Sequence, residues 1–542
     1  IPQLYNKINC IGTMETNIAS NAMVVTPHHL ATQSAIAILK EGGTAIEAMV
    51  AAAATVSVVY PHMNSIGGDG FWLIVPPKGD PIVIEACGVA GSLATPDFFN
   101  GFKDVPIRGP KSATTVAGTV AGWEEALTYV SECGYKRMPI SKLLEDAIRY
   151  AEEGFPMTYS QKQSSNNFLN TEDKSNFVEF SKVFFPDGRI PKVGERFCQK
   201  ELAKSLKLLA EHGLTSYYKG ELAKKIAADM VSLGMAITES DLESCSAIRK
   251  TPLRLLHSEG ELFNTPPPTQ GLVSLSILGI LDRLDIDGDN EGEFIHSIVE
   301  ATKQAFQLRD EYITDPDYMS VDPDLLLSDQ RLNKMAKNIS FEKVCSNGKG
   351  KGPGDTIWMG IMDSKGFSVS FIQSIYHEFG SGLLLPRTGI LWQNRGTAFN
   401  LQKGHIRSIR PGKRPFHTLN PAAARLNDGR LMVYGTRGGD GQSQTQAAIF
   451  HRYVIQGIDL QESILAPRWF YGKETYENED RLRIEGRIRE KTIQYLKNRG
   501  HDIIVMSDFH ERMGQAGALV RRPDGMLEGA FDPRSNGSAA GY

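Results

Sequence analysis

The chain has 542 residues, of which 41% are hydrophobic, so it is long enough to bury a large core. Its formal net charge is only −4, which gives no basis for charge-driven binding of nucleic acids or membrane surfaces. We therefore expect neither a nucleic-acid nor a membrane partner, and a small molecule instead.

Six cysteines are spread along the chain, and no two lie within three residues of each other. This spacing excludes the paired motifs of zinc ribbons and thiol redox sites, and it is typical of reduced thiols in a reducing compartment. The longest apolar run, 48–59, is too short to span a membrane. We predict a cytoplasmic protein, or a periplasmic one if a signal was removed, because the chain begins with Ile1 rather than Met.

The first part of the chain predicts helices followed by buried strands. His29–Lys40 carries apolar residues at helical spacing and stops at a Gly-Gly pair, after which Thr44 can cap a second helix. A glycine turn at 66–70 then leads into two buried strands, Phe71–Val75 and Pro81–Glu85.

Residues from about 110 to 345 are predicted to be mostly helical, and residues 356 to 542 to be rich in strands. The helices expected in these two parts are Ser141–Glu153, Glu201–His212, Glu221–Leu233, Phe294–Tyr312, Gln444–Ile455 and Arg487–Arg499.

The most informative boundary is the segment 346–355, Ser-Asn-Gly-Lys-Gly-Lys-Gly-Pro-Gly-Asp. Four glycines and a proline oppose regular structure there. Two alternating apolar stretches follow directly, Thr356–Met362 and Phe367–Gln373, on either side of an Asp-Ser-Lys-Gly turn. This pattern predicts a β-hairpin that opens with a threonine.

A threonine at the start of a strand is ordinary, but Thr356 follows a flexible tether, and this is the arrangement that self-cleavage needs. The tether lets the peptide bond after Asp355 bend until the Thr356 hydroxyl can attack its carbonyl. Cleavage would free an α-amine with a pKa of about 7.7–8.0, which can act as the base for its own hydroxyl. Thr356 could then supply both nucleophile and base.

A second element, 435–441, reads Gly-Thr-Arg-Gly-Gly-Asp-Gly. Consecutive glycines let two backbone N–H groups converge on an anion, as an oxyanion intermediate requires, although a plain glycine turn has the same composition. It is not a nucleotide loop, because no Gly-Lys-Ser/Thr follows.

With these elements the sequence resembles the γ-glutamyltransferase family over nearly its whole length. Asp355-Thr356 and the hairpin resemble the family's processing site. The other matching segments, in chain order, are 23–48, 66–71, 217–226, 266–271, 413–415 and the ending 531–542.

The resemblance implies an α+β fold of the N-terminal-nucleophile hydrolase type, a four-layer αββα sandwich. It also implies a precursor that splits after Asp355 into a large chain, 1–355, and a small chain, 356–542, which together form one interwoven domain. Gly438 and Gly439 match the oxyanion glycines, and Ser374 matches a Thr that contacts the nucleophile, although a strand Ser bonded to backbone would look the same.

The chain departs from the family where substrate is recognised. The pattern Thr-Thr-His-x-Ser after the nucleophile becomes Thr-Ile-Trp-Met-Gly, so Trp358 and Met359 are expected to be packing residues. The family's acidic and amide groups for a substrate ammonium are replaced by Ala398 and Arg395, and its carboxylate-binding Arg is replaced by Ile84.

These changes remove the group for an ammonium and offer an arginine for a carboxylate. The predicted substrate-binding residues are Arg395, Tyr376, His417, Thr418 and Arg437. The pattern resembles the oxamate amidohydrolase branch of the family, which cleaves oxamate to oxalate and ammonia in purine catabolism. Structural salt bridges remain the other interpretation of Arg395 and Arg437.

Three other functions stay open: γ-glutamyl transfer or glutathione hydrolysis, a glutaryl-type or β-lactam side-chain acylase, and an uncleaved non-catalytic binding protein. The proposed chemistry needs no cofactor, and no metal motif is present. A homodimer is possible.

Overall fold

The computed structural model describes residues 14–345, 348–350, 355–473 and 479–542. Most of the predicted tether at 346–355 lies outside the described residues, as does Cys10. The other five cysteines carry free thiols. No helix in the described ranges is long and apolar enough to cross a membrane.

The strands of the described residues, in chain order, are β1 (Asn17–Ala19), β2 (Met23–Thr26), β3 (Asp69–Val75), β4 (Ile82–Ala86), β5 (Phe155–Pro156), β6 (Arg196–Phe197), β7 (Ile248–Lys250), β8 (Leu253–His257), β9 (Gly260–Asn264), β10 (Asp355–Met362), β11 (Ser368–Tyr376), β12 (Ala422–Leu426), β13 (Leu431–Thr436), β14 (Trp469–Gly472), β15 (Arg481–Glu485), β16 (Ile503–Met506), β17 (Ala516–Arg521), β18 (Leu527–Phe531) and β19 (Ser538–Gly541).

The α-helices of the same residues are α1 (His29–Lys40), α2 (Ala45–Val59), α3 (Thr119–Glu132), α4 (Ile140–Leu143), α5 (Glu145–Glu153), α6 (Tyr159–Thr171), α7 (Val178–Phe184), α8 (Lys200–His212), α9 (Glu221–Ser232), α10 (Glu239–Glu243), α11 (Gly271–Leu281), α12 (Glu291–Tyr312), α13 (Pro323–Leu326), α14 (Asp329–Lys337), α15 (Gly441–Phe450), α16 (Leu460–Leu465) and α17 (Glu490–Asn498).

Two seven-stranded antiparallel sheets lie at the centre. Sheet A has the strand order β1-β18-β17-β13-β12-β9-β8, and sheet B has the order β19-β2-β10-β11-β3-β4-β7. Both sheets mix strands from before and after residue 355. Neither half of the sequence could therefore complete a sheet alone.

Side-chain alternation along β10 shows how the layers pack, because successive residues of a strand face opposite sides of the sheet. Ile357, Met359 and Ile361 pack with helices α1–α10 in one core. Trp358 and Met362 pack against Val433 and Leu519 of sheet A in the core between the sheets. Helices α11–α17 share a third core with the outer face of sheet A. The order of layers is αββα, which confirms the predicted fold class.

Several local predictions are confirmed. Thr44 caps α2 through a capping box with Glu47, in which the Thr44 hydroxyl accepts from the Glu47 N–H at 3.2 Å and a Glu47 carboxylate oxygen accepts from the Thr44 N–H at 2.8 Å. The hairpin of β10 and β11 forms where the alternation placed it.

One prediction was incomplete, and one was wrong in detail. The stretch 110–345 is mostly helical, as predicted, but it also contains five short strands, β5 to β9, and the last two are a hairpin at the edge of sheet A whose Leu-Arg-Leu-Leu alternation is a strand pattern. The helix expected over Ser141–Glu153 is two helices, because the chain leaves α4 at Leu144 before α5 begins.

Candidate active site

Thr356 lies near the start of β10 and is fully buried. The pairing register with β11 shifts between Asp355 and Ile357, so Thr356 lies opposite a bulge in which β11 contributes two residues, Ser374 and Ile375. Bulges re-aim side chains and are common next to active sites. Trp358 is buried two residues later, as predicted, and its indole N–H donates to Ser370 Oγ at 3.0 Å.

Ser374 connects the Thr356 hydroxyl to the peptide bond before it. The two hydroxyl oxygens are 3.0 Å apart, and Ser374 Oγ donates to the carbonyl oxygen of Asp355 at 2.8 Å. Ser374 Oγ also accepts the N–H of Tyr376 at 2.9 Å. Since the single Ser374 proton goes to the Asp355 carbonyl, Thr356 must donate its own proton to Ser374.

The side chain of Asp355 is held at both carboxylate oxygens. Arg437 Nη1 donates to Oδ1 at 2.7 Å, and the N–H of Glu378 donates to Oδ2 at 3.0 Å. Arg437 Nη2 donates to the carbonyl of Glu511 at 2.9 Å. Burial alone would lower the pKa of Arg437, but Asp355 and Glu511 raise it above its usual value. Arg437 is thus engaged by the residue that precedes Thr356.

Gly438 and Gly439 follow β13 as a turn with φ values of 124° and 53°, which only glycine adopts freely in succession. Their N–H groups donate to no acceptor among the described residues. The Gly439 carbonyl instead accepts from Gln270 Nε2 at 2.8 Å, and the same amide nitrogen donates to the Thr418 carbonyl at 2.9 Å. The turn is therefore fixed with its N–H groups available to a ligand.

Arg395 begins a buried 3₁₀ turn, Arg395–Ala398. Its side chain has no solvent exposure, and its three guanidinium nitrogens make no hydrogen bond to any described residue. The guanidinium carbon lies 4.0 Å from the centre of the Tyr376 ring, and Tyr376 donates its N–H to Ser374. A buried cation without hydrogen-bond acceptors is costly unless an anion binds there.

His417 and Asp69 lie beside this guanidinium. His417 Nε2 is 3.6 Å from Asp69 Oδ2. Neither of these atoms makes a hydrogen bond within the described residues, and His417 Nδ1 makes none there either. Burial lowers the pKa of His417 well below its usual value, and Arg395 lowers it further, so the imidazole is neutral. Burial raises the pKa of Asp69 to about 7, and Arg395 opposes that rise.

Tyr376 has a φ of 81°, which a residue with a side chain adopts only at a cost of about 1–3 kcal/mol. The conformation ends β11 and starts a turn in which Phe379 also has a positive φ. Arg108 supports this turn by donating to the carbonyls of Glu378 and Gly380. The strained backbone directs the Tyr376 ring against Arg395.

A cavity of about 210 Å³ reaches the scissile step from the protein surface. Asp355, Arg437 and Gly438 line it together with Arg108, Glu378 and Glu511. Burial raises the pKa of Glu378 to about 7, and the neighbouring carboxylates of Asp355 and Glu511 raise it as well.

The predicted residues thus fall into two groups around Thr356. Arg395, Tyr376 and His417 form one, with the Thr418 backbone nearby, while Arg437 pairs with Asp355 in the other. Asp69 and Glu378 were missed by the sequence analysis. The signal for Asp69 was a single acid between glycines at the start of an apolar strand, which was interpreted as part of a turn.

Comparisons with known proteins identify the family of the chain. The profile of the gamma-glutamyltranspeptidase family matches residues 31–542. The chain belongs to that family. This confirms the resemblance found in the sequence and the prediction of an enzyme, an amidohydrolase of the N-terminal-nucleophile type.

Three relatives of the family illustrate its range. An oxamate amidohydrolase proenzyme of Klebsiella pneumoniae is 56% identical, over 97% of this chain and 99% of that protein. A glutathione hydrolase-like proenzyme of Bacillus subtilis is 38% identical over the same shares, 97% and 99%. The crystal structure of a cephalosporin acylase from Bacillus halodurans has a TM-score of 0.91 at 31% identity and covers 100% of this chain and 99% of that one.

Proposed function

We propose that the chain cleaves itself between Asp355 and Thr356 and then hydrolyses a small amide that carries a carboxylate, oxamate, to oxalate and ammonia. The two products of cleavage are the chains 1–355 and 356–542, which stay together because both sheets contain strands of each. The word proenzyme in the names of the relatives supports the self-cleavage, and the name of the Klebsiella relative supports the substrate.

Self-cleavage uses the chain of hydrogen bonds around Ser374. Thr356 Oγ1 attacks the carbonyl carbon of Asp355 and passes its proton to Ser374, which gives its own proton to the carbonyl oxygen. The C–N bond then breaks as the proton on the former carbonyl oxygen passes to the nitrogen, and an ester joins Asp355 to Thr356. Water hydrolyses the ester and leaves the α-amine of Thr356 free.

The freed residue then attacks the substrate. The α-amine takes the proton of Thr356 Oγ1 as this oxygen bonds to the amide carbon, and the N–H groups of Gly438 and Gly439 stabilise the oxyanion. The C–N bond breaks as the ammonium returns its proton to the leaving nitrogen, so ammonia departs. Water attacks the acyl-Thr356 ester and releases the diacid. Each bond made to Thr356 is broken again, and no cofactor takes part.

The single observation that carries the substrate proposal is the buried guanidinium of Arg395 without a hydrogen-bond acceptor. A carboxylate accepts two parallel hydrogen bonds from a guanidinium, and in a buried site this pairing is strong and directional. The guanidinium carbon lies over the Tyr376 ring, which accepts no hydrogen bond from it, so its N–H groups remain for the ligand. His417 and Thr418 are further groups for the same ligand.

The test combines the intact mass of the purified protein under denaturing conditions with ammonia release from three substrates: oxamate, a γ-glutamyl amide and a glutaryl amide. We expect two fragments that divide before Thr356, and ammonia from oxamate alone. Activity only on γ-glutamyl or glutaryl amides would contradict the assignment of Arg395 to a small carboxylate and favour the other two enzyme functions. An intact, inactive chain would favour a binding protein.

A further inference from the structure

One buried carboxyl of the site has no role in the proposed reaction. Asp69 is the first residue of β3, has no solvent exposure, and lies directly opposite Ser374 of β11 in the sheet register. Ser374 in turn contacts the Thr356 hydroxyl. Asp69 is therefore one strand away from the residue that adjoins the nucleophile.

The carboxyl of Asp69 is fixed on one side and open on the other. Its Oδ1 accepts the N–H groups of Gly118 at 3.0 Å and Gly88 at 3.2 Å. Its Oδ2 accepts no hydrogen bond from any described residue and lies 3.6 Å from the imidazole of His417. The two glycine donors hold this second oxygen in one direction, toward the group formed by Arg395 and His417.

Arg395 is the cation that acts on Asp69 here. The other ionisable groups that face Asp69 are neutral in the physiological range, because burial lowers the pKa of His417 and raises the pKa of the thiols and phenols. These thiols and phenols are Cys87, Cys245, Tyr217 and Tyr218. The carboxylate of Glu85, on the neighbouring strand β4, is paired with Lys250 and Arg414.

We propose that Asp69 makes this site select a singly charged amide over the doubly charged diacid that its hydrolysis releases. The inference rests on the proposed function. Arg395 supplies one positive charge, which one substrate carboxylate matches. Arg437, the other arginine of the site, is paired with Asp355, so the second carboxylate of the product has no free cation among the described residues of the site and adds a second negative charge close to Asp69. Like charges placed together in a buried site repel strongly, so Asp69 favours product release.

The selection should depend on pH in a stated direction. Both carboxyl groups of oxalate stay ionised near neutrality, since carboxyl pKa values lie at about 4 or below. Asp69 titrates at about 7 because burial raises its pKa, so it is neutral on the acid side and charged on the alkaline side. Inhibition by oxalate should therefore weaken as the pH rises through 7.

The experiment measures the inhibition constant of oxalate during oxamate hydrolysis, from pH 5.5 to 8.5, in the wild type and in Asp69→Asn. The amide keeps an oxygen for the two glycine donors and removes the charge. We expect oxalate to inhibit the variant on the order of tenfold more strongly at alkaline pH, and the pH dependence through 7 to disappear. Asp363→Asn is the matched control, since Asp363 is also buried but lies at the far end of the hairpin.

Oxalate inhibition that is unchanged in Asp69→Asn, with the same pH dependence, would overturn the inference. If that variant does not mature, Asp69→Ser removes the same charge with a smaller side chain and is judged by the same two results. A wild type that releases no ammonia from oxamate would contradict the proposed function instead. Calorimetric titration of oxamate and oxalate would then decide the inference, with an equal preference in wild type and variant counting against it.

Discussion

Two buried arginines lie near Thr356, and they differ in what they contact. Both terminal nitrogens of Arg437 are engaged by the chain: Nη1 donates to Asp355 and Nη2 donates to the carbonyl of Glu511. Arg395 stacks on Tyr376 and makes no hydrogen bond within the described residues. A guanidinium that is satisfied by the chain itself has a structural or processing role, whereas one without acceptors is prepared for a ligand. The sequence analysis gave both arginines the same two interpretations, substrate ligand or structural salt bridge, and the structure gives a reason to separate them.

The difference also separates two stages, the self-cleavage of the precursor and the hydrolysis of the substrate. The continuous chain holds Asp355 against Arg437, and cleavage turns Asp355 into a chain end. We infer that Arg437 acts first, on the precursor, and that Arg395 acts afterwards, on the substrate. Variants that stop one step and leave the other intact can test this separate assignment of the two arginines.

The largest effect is expected from Thr356→Ala, which removes the hydroxyl needed in both steps. The variant should remain a single full-length chain and lose hydrolysis by roughly 10⁴-fold or more. Denaturing mass measurement and ammonia release give the two readings. Since the methyl side chain of alanine cannot attack a carbonyl, fragments in this variant would show that another residue is the nucleophile.

Arg395→Met should separate the two steps. The variant keeps a side chain of similar length, so we expect cleavage at the wild-type rate. Hydrolysis of oxamate should fall roughly 10²–10³-fold, because truncating one partner of a buried charge pair costs about 2–5 kcal/mol. Full activity in a cleaved Arg395→Met protein would contradict the assignment of the carboxylate to this residue.

Arg437→Met should have the opposite pattern. Loss of the Arg437–Asp355 ion pair leaves the scissile carbonyl less well placed, so we expect maturation to slow by roughly 10–100-fold. Activity per cleaved molecule should stay within about threefold of wild type, because Arg437 donates to Asp355 and Glu511 and is not assigned to the substrate. A threefold change corresponds to less than about 1 kcal/mol. Time-resolved mass measurement of the fragments gives the rate.

A matched control for Arg437→Met is Arg425→Met on the neighbouring strand β12. Arg425 is opposite Leu431, at the far end of β13 from Arg437, and donates to the carbonyl of Gly79. Equal slowing in both variants would assign the effect to the stability of sheet A. Normal maturation of Arg437→Met with loss of hydrolysis would return this residue to the substrate site, as the sequence analysis had it.

The hairpin of β10 and β11 and the cap of α2 could be predicted from the sequence because they depend on local patterns, whereas the αββα fold was implied by the family resemblance and Thr356 as nucleophile stays a prediction. The alternation in β10 and β11, the turn between them and the cap at Thr44 each involve residues within a few positions. Trp358 and Met359 were expected to pack, and both are buried.

The arrangement around Arg395 could not be predicted in the same way. It joins Asp69, Tyr376, Arg395 and His417 from separate parts of the chain, and no spacing in the sequence encodes their distances. The ion pair between Arg437 and Asp355 could not be predicted from the sequence either, although Asp355 had been identified as the residue before the cleavage. Whether a charged residue is satisfied by the chain depends on tertiary contacts, so sequence could propose both arginines as ligands but not distinguish them.

The smallest expected effect applies the same contrast between a partnered and an unpartnered polar group to two serines of β11. Ser370 accepts the Trp358 indole N–H at 3.0 Å, whereas the buried hydroxyl of Ser368 makes no hydrogen bond within the described residues. Ser370→Ala should cost about 1–3 kcal/mol, because it leaves a buried N–H without an acceptor. Ser368→Ala should be neutral or slightly stabilising, since it removes a group that loses no bond. Denaturant unfolding of both variants in the Thr356→Ala background keeps every sample a single chain, and equal destabilisation would show that hydrogen-bond partners do not decide the cost of buried polar groups in this sheet.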